Sequence, residues 1–271
     1  MAEDDGHIRV FVRVRPLLPR ELLDEEVVEV TGQDVRVSSE RASLESSFDR
    51  VFEKGARQED VYRACSGTVE SVLGGYNGTV FAYGQTGTGK TYTMLGGDFT
   101  GAPAGTGEES GAEEGASSAD VHRGITPRAV EQLFAGLRNG GGKASVFASY
   151  MEIYNEHIYD LLQPYKPHRS KRDPLDVRQH KATLELREDQ GRGIWVPDLT
   201  VMPVSSANAV LALVRKGNRN RSVRQTEMNE HSSRGHSILQ LVVEQRTMGA
   251  GGGGKAGKGE LVKAKLNLVD L

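Results

Sequence analysis

From Ile8 to Val14 bulky apolar residues alternate with polar ones, the two-residue period of a strand, and Arg15, Pro16 and Pro19 end it. Val27 to Val37 fits a small hairpin turning at Gly32, and Phe48 to Phe52 a further short strand. Between Gln58 and Leu73 the period changes. The apolar positions Val61, Cys65, Val69 and Val72 fall at steps of three and four, one face of an amphipathic helix that Gly74 and Gly75 stop. Thr79 to Tyr83 is a compact apolar run suited to a buried strand, followed by a glycine-rich turn and a helical stretch. Thr126 to Leu137 predicts a helix with Thr126 as its cap and Pro127 at its first position. Ala144 to Ile153 predicts a strand leading into a short helix at Asn155 to Leu162. Short strands are expected near Thr183 to Arg187 and Ile194 to Val196, and Ser205 or Ser206 can cap a helix through Val210, Leu213 and Val214. Ser237 to Gln245 and Leu261 to Val269 read as two more strands. Strands alternate with helices through the middle of the chain, which predicts an α/β sheet with helices on both faces.

Composition changes this picture in two places. From Gly96 to Asp120 the chain is glycine, alanine, serine and threonine with scattered carboxylates and no lysine. Such a stretch buries too little apolar surface to offset its ordering entropy, so residues 97–120 are expected to form a disordered acidic insertion. Residues 249–259 are expected to form a flexible glycine-rich loop between the last two strands. The rest, within 271 residues that are 37% hydrophobic, suffices for one sizeable core, and a single domain over 1–271 is expected. A net charge of -3 argues against wholesale nucleic-acid binding and against a membrane surface. Pro164 to Pro174 is nevertheless a loop rich in lysine and arginine. The lone Cys65 has no partner for an internal disulfide, there is no signal-peptide pattern behind Met1, and no run approaches the roughly 18 apolar residues of a membrane span. A soluble protein of a reducing, intracellular compartment is the expectation.

The chemistry enters at Gly84-Gln85-Thr86-Gly87-Thr88-Gly89-Lys90-Thr91, which matches the phosphate-binding P-loop pattern in full. Its glycines let the backbone wind tightly enough for successive amides to face phosphate oxygens. Lys90 can reach the β- and γ-phosphates, the Thr91 hydroxyl can ligate magnesium, and the following helix adds its positive N-terminal end. The motif alone leaves nucleotide and reaction open, because kinases, GTPases, helicases and motors share it. Two further segments narrow the choice. Asn229 to His236 (Asn-Glu-His-Ser-Ser-Arg-Gly-His) is a polar cluster whose hydroxyls suit a metal and an attacking water. Leu266 to Asp270 is an apolar strand ending in a carboxylate, the form of the second motif of P-loop NTPases.

These segments, in this order, resemble the kinesin motor domain from Ile8 to Leu271. Arg13-Val14-Arg15-Pro16, the run Gly75 to Gly84 leading into the P-loop, Tyr150 to Glu156, the Asn229 cluster and Leu268-Val269-Asp270-Leu271 all take part. The opening Arg-Val-Arg-Pro-Leu-Leu-Pro, Asn218 to Arg224 and Glu244-Gln245-Arg246 look most like the chromokinesin-type branch. The resemblance implies a P-loop NTPase with a central, mostly parallel or mixed sheet, binding ATP and Mg2+ and hydrolysing ATP to move along microtubules in the cytoplasm. It implies that Arg13, Arg15, Pro16 and Tyr92 border the adenine, that Ser232 lies by the γ-phosphate, and that Ser233 joins Thr91 on magnesium. Arg234 would latch the two switch loops and Asp270 would open the second, also on the metal side. The alternative is a nucleotide-binding, non-motile microtubule-associated or scaffold protein. Gly235 stands where the family usually has serine, which removes a hydroxyl and is expected to loosen the loop. The resemblance also implies further elements beyond Leu271, so the domain is expected to be incomplete.

Overall fold

Alternating burial along the strands fixes the architecture. The structure, a computed structural model, describes residues 8–39, 42–97, 121–164, 183–190, 193–228, 235–246 and 261–271. The expected acidic insertion, the basic loop after Pro164 and the glycine-rich loop at 249–259 lie outside the described residues, apart from Gly97 and Pro164 at their edges. The chain divides into two compact units, Met1–Val61 and Tyr62–Leu271.

In the first unit β1 (Phe11–Arg13) runs parallel to β5 (Arg50–Phe52), with the rings of Phe11 and Phe52 in edge contact. The hairpin expected at Gly32 forms as β2 (Val28–Thr31) and β3 (Asp34–Ser38), and Gly32 takes the positive φ of 64° that the turn needs. A third strand, β4 (Ser43–Ser47), extends it. Its exposed Ser-Leu-Glu-Ser-Ser sequence has one apolar residue and so gave no strand period.

The helix α1 (Gln58–Leu73) has the bounds its spacing predicts. In the second unit the sheet order is β11–β7–β12–β13–β6, with β8 also pairing β7. These strands are β6 (Gly78–Ala82), β7 (Ala144–Tyr154), β8 (His157–Asp160), β11 (Met202–Val204), β12 (Gly235–Arg246) and β13 (Leu261–Asp270). The sheet is mixed: β13 and β6 are parallel, the other pairings antiparallel. A small hairpin of β9 (Arg187–Asp189) and β10 (Gly193–Trp195) stands apart from it, shifted by a few residues from the expected positions. One sheet face carries Val146, Ala148 and Tyr150 of β7, Leu239, Leu241 and Val243 of β12, and Ala264, Leu266 and Leu268 of β13, all buried. Against it pack α2 (Lys90–Met94), α3 (Ile125–Asn139) and α4 (Ala207–Met228), which meet it around Met94, Thr126 and Val214. Gly217 lets α4 approach closely, since a Cβ there would overlap the Tyr150 ring.

Two local expectations fail for clear reasons. Asn155 to Leu162 is not a helix. Asn155 and Glu156 turn the chain with φ of 47° and 64°, and β8 returns antiparallel to β7. Asparagine favours that left-handed region, which makes the hairpin possible. Thr126 is not a cap either: α3 begins one residue earlier behind Gly124, and Thr126 is buried inside its first turn. Of the two serines offered as caps for α4, Ser206 is the one whose hydroxyl accepts the amide of Ala209, at 3.2 Å.

Candidate functional site

β6 ends at Ala82 and delivers the chain into the expected phosphate loop. Gly84, Gly87 and Gly89 have φ of 151°, 85° and 90°, a backbone that side-chain-bearing residues rarely adopt. Gly89 is the left-handed cap from which α2 starts at Lys90. Gln85, Thr86 and Thr88 are exposed along the turn, and the Thr88 hydroxyl donates to the Gln85 carbonyl at 2.9 Å. Lys90 folds back over the loop, its Nζ donating to the carbonyls of Gly84 at 2.8 Å and Gln85 at 3.0 Å.

Asp270 reaches this loop because β13 lies parallel to β6, with Asp270 beside Ala82. Thr91 Oγ1 donates to Asp270 Oδ2 at 2.7 Å. The carboxylate is buried, and its Oδ1 has no hydrogen-bond partner among the described residues. Burial pushes the Asp270 pKa up, while the Thr91 hydrogen bond and the charges of Arg221, Lys90 and His236 oppose the rise. A buried carboxylate oxygen with nothing to accept from is costly, and a hydroxyl beside a carboxylate is the donor pair magnesium takes from a protein. Thr91 and Asp270 therefore fit the cation that the P-loop implies.

Behind Asp270 lies a second cluster. Glu152, at an inward position of β7, is wholly buried. Arg221 Nε donates to its Oε1 at 2.8 Å, Arg221 Nη2 to the Gly235 carbonyl at 2.7 Å, and Arg221 Nη1 lies 4.0 Å from Asp270 Oδ2. Arg224, one turn further along α4, donates to Glu152 Oε2. Its guanidinium sits 4.0 Å from the ring centre of Tyr159 and 5.5 Å from that of Tyr154. On the same face the Tyr150 hydroxyl donates to Asn218 Oδ1 at 2.7 Å, and burial pushes its pKa up to about 12. Gly235 is tightly packed rather than loose, because a Cβ there would overlap Glu152 Oε1. The loop that this glycine is expected to loosen, residues 229–234, lies outside the described residues. Sequence reasoning quoted Glu152, Arg221 and Arg224 only inside longer motifs. The usable signal was a lone carboxylate between the inward Tyr150 and Tyr154 of a core strand, with two arginines three apart on one helix.

The structure brings Lys90, Thr91 and Asp270 together. Tyr92 points its hydroxyl to His122 Nδ1 at 3.2 Å. Arg13, Arg15 and Pro16 belong to the first unit, where Arg13 Nη1 donates to Gln58 Oε1 at 2.8 Å and Arg15 forks onto Glu21 at 2.6 and 2.8 Å. Ser232, Ser233 and Arg234 lie outside the described residues. Among those described, no helix is long and apolar enough to cross a membrane.

Comparison with known proteins finds relatives over nearly the whole chain. A family model described as the kinesin motor domain matches residues 13–271. The kinesin heavy chain of Gibberella moniliformis is 38% identical over 97% of this chain and 25% of its own length. The kinesin-like protein KIN-14N of Oryza sativa subsp. japonica is 36% identical over 98% of this chain and 31% of its own length. The chain thus spans about a quarter to a third of the length of these curated relatives. A solved structure described as that of a fast kinesin superposes with a TM-score of 0.76 at 34% identity, over 97% of this chain and 65% of the other. With the P-loop, the strand-end aspartate and the mixed sheet in one arrangement, the chain belongs to the kinesin motor domain family.

Proposed function

We propose that this chain binds ATP with magnesium at Gly84–Thr91 and couples ATP hydrolysis to movement on microtubules, placing it on the cytoplasmic microtubule cytoskeleton. The observation that carries this reading is the Thr91–Asp270 pair beside the phosphate loop, with one buried carboxylate oxygen left to accept a ligand. Lys90 needs only to exchange loop carbonyls for phosphate oxygens to become a charge-assisted donor. Loop amides freed by the three positive-φ glycines hold the phosphates. Magnesium, held by Thr91, Ser233 and Asp270, would neutralise charge on the β- and γ-phosphate oxygens. Ser232 positions the attacking water and Arg234 latches the switch loops, roles taken from the family resemblance. Arg13, Arg15, Pro16 and Tyr92 contribute the adenine contacts on the same basis. Phosphoryl transfer asks little more of a protein than such positioning and charge.

Titration with a fluorescent ATP analogue tests the site. Lys90→Ala removes a charged phosphate contact worth roughly 1.5–3 kcal/mol, so affinity falls about ten- to a hundredfold. Equal affinity in a folded Lys90→Ala protein would falsify the phosphate-loop assignment. Phosphate release measured with and without microtubules tests the partner. Stimulation by microtubules is expected of the whole protein, and its absence there, with nucleotide binding intact, would favour the non-motile alternative.

A further inference from the structure

Arg221 is shared three ways. One guanidinium nitrogen serves Glu152, a second the Gly235 carbonyl, and the third faces Asp270. Left alone with a wholly buried carboxylate, a guanidinium fork closes on both oxygens, because that pairing is the strongest available and leaves no lone pair bare. Here the second oxygen of Glu152 is already taken by Arg224. Arg224 is itself buried, and the ring faces of Tyr159 and Tyr154 hold its guanidinium plane. The bare Cα of Gly235 leaves the space in which Oε1 sits.

We propose that Arg224 is a positioning residue for the phosphate site: by occupying one oxygen of Glu152 it keeps Arg221 from closing on that carboxylate, so that Arg221 Nη1 stays beside Asp270 and Thr91. The proposal rests on the phosphate-site reading above. The chain of contacts runs from Tyr159 through Arg224, Glu152 and Arg221 to Asp270, and it ends on the side of the site where the cation and the terminal phosphate belong. Without Arg224, Arg221 rotates toward Glu152 and no longer orients the Asp270 carboxylate. Nucleotide held only by the loop amides and Lys90 is unaffected, whereas the magnesium-bound form loses support.

The test is the Kd of a fluorescent ATP analogue, measured on the full chain in Mg2+ and again in EDTA, with a melting temperature for each variant. Arg224→Met is expected to raise the Kd in Mg2+ about tenfold, the usual effect of removing a group that orients a metal site. The Kd in EDTA is expected to stay at the parent value. Arg224→Lys, which keeps a cation on Glu152, recovers part of the loss. Where Arg224→Met does not fold, the double variant Glu152→Gln, Arg224→Met carries the test. It removes the carboxylate on which Arg221 would close, leaves no lone buried charge, and is expected to fold and to keep the parent's Kd in Mg2+. Equal weakening in Mg2+ and EDTA would reduce Arg224 to a structural residue and overturn the proposal, as would a folded Arg224→Met with the parent's Kd in Mg2+ or a selective loss in Mg2+ in the double variant. Lys90→Ala separates the two readings. If it weakens binding and the Arg224 variants do not, only the positioning role fails. If it too binds like the parent, the phosphate site fails and the positioning role with it.

Discussion

Two arginine–glutamate forks in this chain use the same groups to different ends. Arg15 takes both oxygens of Glu21, at 2.6 and 2.8 Å, with side chains 31% and 20% exposed. Glu21 also accepts the Leu18 amide at 3.0 Å, so the pair ties a short turn to the end of β1 and is complete in itself. Glu152 gives each oxygen to a different arginine, in full burial. Neither arginine is saturated by it, and Arg221 goes on to meet Gly235 and Asp270. Water screens the first fork and can replace either partner, so its worth is local and small. In the second no water stands in for a lost partner, so each group depends on the others. Burial turns a surface tie into a hub connecting a core strand, a helix and the Asp270 carboxylate.

The largest expected effect follows from breaking the hub at its centre. Glu152→Ala strands the buried Arg224 guanidinium and the largely buried Arg221 one, and should cost about 3–5 kcal/mol in denaturant unfolding, the range for removing one side of a buried pair. Glu21→Ala should be far milder. Equal costs for the two would mean that burial does not separate the forks. A smaller effect is expected from Gly235→Ser. The added Cβ displaces Glu152 Oε1, the oxygen that Arg221 holds, which should cost about 1–3 kcal/mol as overpacking does. In the Glu152→Gln, Arg224→Met background the side chain at 152 is freer to move, so the Gly235→Ser cost should shrink. An unchanged cost in that background would show that Gly235 and Arg224 act independently.

The same contrast explains which parts were legible in the sequence. Period and punctuation gave α1 its bounds and both long strands β12 and β13, because a single face of each is buried and the side-chain spacing records it. The strand, glycine turn and helix around Gly84 to Thr91 were legible because that pattern fixes residue types at fixed offsets, and the strand end at Asp270 because an apolar run leads to it. β8 was lost because His157 to Asp160 has no simple alternation and its direction depends on the turn at Asn155. The hub was lost for a deeper reason. Glu152, Arg221 and Gly235 lie far apart in sequence, and the significance of each depends on the register that sets Gly235 beside Tyr154 and Ser237 beside Glu152. A glycine beside a polar loop looks like slack in the sequence; its tight fit appears only when the carboxylate occupying that space is known.

The smallest effect sharpens the comparison from the exposed side. The hydrogen bonds from Arg15, then the Leu18 amide, hold the Glu21 carboxyl down to about 2 from an ordinary 4.5. An acid whose folded pKa is depressed binds protons less readily in the folded than in the unfolded state. Its stabilising contribution is therefore full above the ordinary value and is lost as pH falls from there through about 2. The difference in melting temperature between the parent and Glu21→Gln should accordingly be constant at neutral and mildly acidic pH and vanish only in the acid limb. Carbon-detected NMR titration of the Glu21 carboxyl should show its midpoint near 2 in the same experiment. Because both partners are solvent-accessible, molar salt should reduce the difference at neutral pH, whereas the cost of Glu152→Ala should barely change with salt. A Glu21 midpoint near 4.5, or a melting difference that survives full protonation, would mean that the fork is not what links Glu21 to stability.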